Sequence, residues 1–83
     1  MAGKGTLRSP NEFMAAAKEH MLDGREPSTQ EDWARIMNFL AYNIDSEVAL
    51  IACKLFIVMY DMPLSEEYVE EIVLHQLAIR EAE

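Results

Sequence analysis

The chain has 83 residues, one Cys and a formal net charge of -8, and 51% of its residues are hydrophobic. That length makes one domain with a thin core, and a single Cys excludes an internal disulfide as its staple. Seven Lys and Arg against fifteen Asp and Glu create a field that repels phosphate backbones, so no direct nucleic-acid binding is expected.

Residues 1 to 8, with Gly3 and Gly5, read as a flexible N-terminal arm, and residues 9 to 83 as a single helical domain. Lys4 and Arg8 are followed by no apolar run, so the start of the chain lacks the pattern of a secretory signal. One unpaired Cys fits a reducing, cytoplasmic location. Ser9-Pro10-Asn11-Glu12 then combines an N-cap Ser, Pro at the first helical position and Glu at the third, a capping box that opens the first helix. This helix runs to about Leu22, with Gly24 as its stop.

The second helix begins within Ser28-Thr29-Gln30-Glu31-Asp32, where Ser28 is set against Glu31 and Thr29 against Asp32 at capping-box spacing. It runs to about Asn43. Its core stripe is Trp33, Ile36, Met37, Leu40 and Ile44, and Arg35, Phe39 and Tyr42 point away from that stripe.

The third helix starts with Asp45 or Ser46 as cap and ends near Met62, because Pro63 cannot continue it. Its stretch VALIACKLFIVMYDM, residues 48 to 62, holds one Lys and one Asp among thirteen apolar residues. Glu47, Lys54 and Asp61 recur at intervals of seven and share one strip, and the rest of the circumference is apolar. Such a helix is expected to be enclosed by the other helices or by another copy of the chain, with the polar strip facing solvent or the rim of an interface and Leu55 and Phe56 in the core. The segment is shorter than the roughly 20 apolar residues of a membrane span and carries Lys54 at its centre, so no membrane insertion is expected.

The fourth helix opens at Ser65, with Glu66 and Glu67 in the first turn, where the helix dipole favours negative charge. Val69, Ile72, Val73 and Leu77 face inward, Tyr68 and Ile79 flank one edge, and Leu74 flanks the other. The pattern as a whole predicts an all-α fold, a small compact bundle of about four helices with a central, almost fully apolar helix 3. The apolar arc on helices 3 and 4 is broader than one short chain can cover, which predicts a homo-oligomer, with a dimer favoured.

Charge is lopsided along the chain. Residues 1 to 27 hold four positive and four negative side chains, and residues 28 to 83 hold three positive and eleven negative. Cys53 sits within IACKLF, without the cationic setting a reactive thiolate needs, and reads as a core residue. Lys54 reads as a snorkelling side chain. Glu67, Glu71 and His75 line one edge of helix 4, but the Glu-x-x-His pattern of di-iron bundles is broken by Ile72. No Gly-rich phosphate loop, paired-Cys motif or nucleophile triad is present. The chain is therefore expected to have no catalytic, cofactor-binding or metal-binding residues and not to be an enzyme.

Surface chemistry is left. Arg35, Phe39 and Tyr42 combine the residue types enriched at interface hot spots, unless the first helix covers Phe39. Glu66, Glu67, Glu70 and Glu71 form an acidic patch suited to steering a basic partner, and Leu74 adds an apolar contact beside it. Met37, Met59 and Met62 serve either as gap-fillers or as an adaptable surface. The expected function is a non-enzymatic protein-protein interaction module, a small acidic inhibitor or adaptor that meets a basic surface on another protein. A phage-type inhibitor of host nucleic-acid machinery is one concrete form. The alternative is a structural, self-assembling subunit of a larger homo-oligomer or complex.

Overall fold

The computed structural model describes residues 9–83, so the flexible arm expected over residues 1–8 lies outside the described residues. Four helices follow one another: α1 (Pro10–Leu22), α2 (Gln30–Asn43), α3 (Ala49–Tyr60) and α4 (Glu66–Ala82). They pack into the all-α bundle that the periodicity predicts, and no strand occurs among the described residues.

Three of the four starts follow the local chemistry of capping. The Ser9 hydroxyl accepts from the Glu12 N–H at 3.2 Å, and the Glu12 carboxylate accepts from the Ser9 N–H at 3.1 Å, which completes the capping box. Thr29 caps α2 by accepting from the Asp32 N–H at 3.1 Å, and Ser65 caps α4 by accepting from the Tyr68 N–H at 3.0 Å. At the end of α1 the chain turns left-handed at Asp23 (φ 53°) and again at Gly24 (φ 84°). The Gly24 N–H returns to the Lys18 carbonyl at 2.9 Å, a closure that suits glycine because it lacks a Cβ.

The start of α3 departs from the expected cap at Asp45 or Ser46. The Asp45 carboxylate accepts from the Glu47 N–H at 3.5 Å, and the Asp45 carbonyl accepts from the Val48 N–H at 3.0 Å. Both bonds close a turn that competes with the helix. Helical geometry therefore begins only at Ala49, with Val48 in the cap position and no side-chain cap.

The centre of the bundle is α2, which packs against each of the other three helices. Ile36, Met37, Leu40 and Ala41 are fully enclosed there. Side-chain ties show that α4 runs beside α2 in the same direction. Gln30 donates to the Pro63 carbonyl at 3.0 Å, Gln76 donates to Asn38 at 2.8 Å, and Arg80 donates to the Tyr42 and Ile44 carbonyls at 2.7 and 2.8 Å. Between them in sequence, α3 runs back the other way. Helix α1 rests on α2 through Met14, Ala17 and Leu22, and Tyr60 of α3 donates to Asn11 of α1.

The expectation of a central α3 is thus corrected. Because α2 and α4 touch directly, they offer α3 a single groove, into which it buries Ala49, Cys53 and Phe56. Its opposite face is left uncovered within one chain, and Leu55, expected in the core, is 56% exposed.

The loop between α1 and α2 is held by Asp32, a buried carboxylate with a full set of partners. It accepts from both terminal nitrogens of Arg25 at 2.9 and 3.1 Å, and from the Ser28 N–H and hydroxyl at 3.1 and 3.3 Å. The hydrogen bonds from Arg25, then that from the Ser28 backbone, hold its pKa far below the usual carboxylate range.

Two outcomes are expected. Phe56→Ala should cost about 3–5 kcal/mol in urea unfolding at low protein concentration, the range for truncated core aromatics. Leu55→Ala should cost under about 1 kcal/mol, as at surface positions. Equal losses at the two sites would contradict this burial pattern. Asp32→Asn should lower the melting temperature at pH 7. Because the folded pKa of Asp32 is depressed, its stabilisation is complete above the unfolded value of about 4 and is lost as pH falls through the folded value. The gap between variant and parent should therefore narrow as the pH is lowered below about 4. A gap independent of pH would show that the carboxylate charge contributes nothing.

Candidate interaction surface

Helix α3 presents an apolar stripe to solvent. Ile51 is 66% exposed, Leu55 56%, Val58 77% and Met59 55%, with Val48 half exposed at the helix start. Their spacings of three and four residues align them along one face. The stripe is aliphatic because residues 48 to 60 hold one charged side chain, Lys54.

Lys54 marks the seam with α4. Its ammonium donates to the Glu70 carboxylate at 2.6 Å. That hydrogen bond, with the nearby charges of Glu70 and Glu66, raises the Lys54 pKa, so the ammonium stays charged at neutral pH. The strip expected to face solvent or the rim of an interface divides between the two settings. Glu47 and Asp61 are exposed at the two ends of the strip, whereas Lys54 is turned towards α4 and partly covered. One turn beyond Glu70, Leu74 is 58% exposed, and by helical phase it lies outward of the seam, next to Glu67 and Glu71. Glu47 and Asp61 are exposed at the two ends of the stripe, and Glu70 and Glu66 of α4 lie at the Lys54 seam, with Glu67 and Glu71 exposed further round α4. Of the three Lys and Arg residues after position 27, Arg35 is on α2 and Arg80 caps the end of α2, which leaves Lys54, already matched by Glu70, beside the stripe.

The sequence-derived residues fall into two separate groups. Glu66, Glu67, Glu70, Glu71 and Leu74 are together on α4, with Glu67, Glu71 and Leu74 free and Glu70 engaged by Lys54. Arg35, Phe39 and Tyr42 occupy a different face, on α2. Arg35 lies 3.7 Å from Glu31 on its own helix, and Tyr42 donates to the Glu83 carboxylate at 3.2 Å. Phe39 is half-buried under His20 of α1, with ring centroids 5.3 Å apart. The alternative weighed for Phe39, that the first helix covers it, is the observed arrangement.

The residues that sequence reasoning did not single out are Val48, Ile51, Leu55, Val58 and Met59. One signal bore on them: the opposite sign of Lys54 among acidic neighbours, which suits a partner carboxylate on an adjacent helix better than open solvent. Of the methionines considered, Met37 and Met62 are buried as gap-fillers, and Met59 lies on the stripe.

Cys53 is fully enclosed, and burial pushes its thiol up to about 12, well away from a thiolate at neutral pH. Among the described residues no group of three or more His, Cys, Asp or Glu side chains is placed to hold a metal ion, and no helix is long and apolar enough to cross a membrane. Arg80 spends one terminal nitrogen on two α2 carbonyls, and its Nη2 is enclosed with no protein acceptor. Searches found no protein family, characterised protein or solved structure that matches the chain.

The thiol supplies a direct check of the packing. Iodoacetamide should leave Cys53 unmodified in the folded chain at pH 8 and alkylate it fully in denaturant, as read by mass spectrometry. Fast alkylation without denaturant would mean that the α2/α3/α4 core opens readily and that a reactive thiol deserves reconsideration.

Proposed function

We propose that the chain is a non-enzymatic protein-interaction module, acting as an inhibitor or adaptor, whose docking surface is the outer face of the α3/α4 pair. The observation that carries this reading is the continuous exposed stripe of Ile51, Leu55, Val58 and Met59. Each of these exposed side chains leaves on the order of 1 kcal/mol of burial unrealised at ~25 cal/mol per Å². A contiguous apolar patch rimmed by polar residues is the form that protein interfaces take. The acidic rim supports the same reading, because carboxylates around an apolar centre steer and orient a partner of opposite charge. A cytoplasmic setting, with Cys53 reduced, is part of the proposal.

A second reading has its own observation. Val48, Ile51, Leu55 and Val58 recur with the alternating spacing of a coiled-coil seam, a pattern that two copies can share about a two-fold axis. The chain would then be a self-assembling subunit, with a dimer favoured.

Both readings require the α3 face to be covered in the cell. A photoreactive amino acid at Val58 should yield a discrete covalent adduct in the native host, and the same group at Glu19, exposed on α1, should not. An adduct of twice the chain mass would favour the subunit reading. Absence of any adduct from Val58 would sink the interaction module.

A further inference from the structure

Resting on the interaction-module reading, we infer that the α3/α4 face takes a cationic amphipathic helix of another protein, in preference to a second copy of this chain. The stripe from Val48 to Met59 is about 16 Å long at 1.5 Å per residue, the length of roughly three helical turns. It is a convex row of side chains on a helix, the surface into which the ridges of another helix interdigitate. The matching ligand has apolar residues at positions i, i+3 or i+4, and i+7, the face that one helix lays along another.

Charge decides between the two occupants. Glu47 and Asp61 stand at the ends of α3, Glu67 and Glu71 stand along α4, and Lys54 is consumed by Glu70 at 2.6 Å. An antiparallel pairing of two α3 helices sets Glu47 of one copy near Asp61 of the other, and a parallel pairing sets each carboxylate near its own counterpart. Either arrangement brings like charges together as water is expelled. A helix whose apolar face is flanked by Arg or Lys buries the same aliphatic stripe and meets those carboxylates with cations. Arg suits them best, because its fork binds a carboxylate through two parallel hydrogen bonds.

The test uses the full chain and a fluorescent synthetic helix of leucine at core spacing with arginine flanks. One control has the same composition scrambled so that no apolar face forms, and the other replaces arginine with glutamate. The ordered cationic helix should bind at least about tenfold more tightly than either control. The double variant Leu55→Gln with Val58→Gln should lose about tenfold in affinity with unchanged helical circular dichroism, since both positions are exposed. Glu47→Gln with Asp61→Asn, both exposed at the ends of the stripe, should weaken binding severalfold and flatten its salt dependence. Equal affinity for the scrambled peptide, or indifference to the α3 substitutions, would overturn the inference in favour of unspecific charge attraction. A micromolar dimer that the α3 substitutions dissociate would overturn it in favour of a second copy. A foreign adduct from the photoreactive Val58 position, with no binding of the cationic helix, would overturn this inference while leaving the interaction module standing.

Discussion

The enclosure of α2 by its three neighbours is the constraint from which the rest of the architecture follows. Ile36, Met37, Leu40 and Ala41 are fully buried on one helix, and no other element contributes as many fully enclosed side chains. In a square four-helix bundle each helix touches two neighbours and all four share one central core. Here α2 and α4 meet directly along their length, so no central space is left for four equal partners. Helix α1 and helix α3 each lean on what this pair offers, and neither is wrapped. The exposed face of α3 is therefore a consequence of topology, and it would persist through any local repacking of α3 itself.

Polar ties fix the register that the apolar contacts leave loose. Arg80, on the last turns of α4, reaches the carbonyls of Tyr42 and Ile44 at the end of α2. Those carbonyls lack helical partners, and a cation is the favoured group at a helix C-terminus. Gln76 with Asn38, and Gln30 with the Pro63 carbonyl, repeat the tie at two further levels. Sliding α4 by one turn along α2 would break all three together. Asp32 does the same for the α1–α2 loop, because four donors converge on one carboxylate. Removing any one partner of such a buried set leaves the others unsatisfied, which ties the loop to this arrangement.

Helix existence and most helix ends were legible in the sequence because capping is local chemistry. Ser9 with Glu12, Thr29 with Asp32, and Ser65 before two glutamates each satisfy orphan backbone donors without help from distant residues. The inward faces of α2 and α4 were legible because polar residues on the other side fix the rotational phase. Helix α3 carries almost no such information. With aliphatic side chains on every side, its hydrophobicity says that it is apolar but not which side the core occupies. Its one internal charge misled for the same reason: Lys54 marks the border with α4, where Glu70 waits, and not the side opposite the core. The acidic residues of α4 were found from composition. Their placement beside an apolar stripe required knowing how α3 and α4 lie together.

The pairing of an apolar stripe with an acidic rim has a physical logic that depends on range. At physiological salt the Debye length is about 8 Å, so carboxylates on two approaching copies hardly sense one another until their surfaces nearly touch. The apolar attraction acts at the same short distance and is indifferent to what kind of apolar surface arrives. Charge is then the term that differs between possible partners at the moment water leaves. For a surface bringing cations, expulsion of water strengthens a favourable pairing. For one bringing further carboxylates, the same expulsion strengthens a repulsion and strips hydration from both sides. On a chain of net charge -8, this term would oppose the close approach of two acidic copies and favour a cationic surface over the same aliphatic stripe.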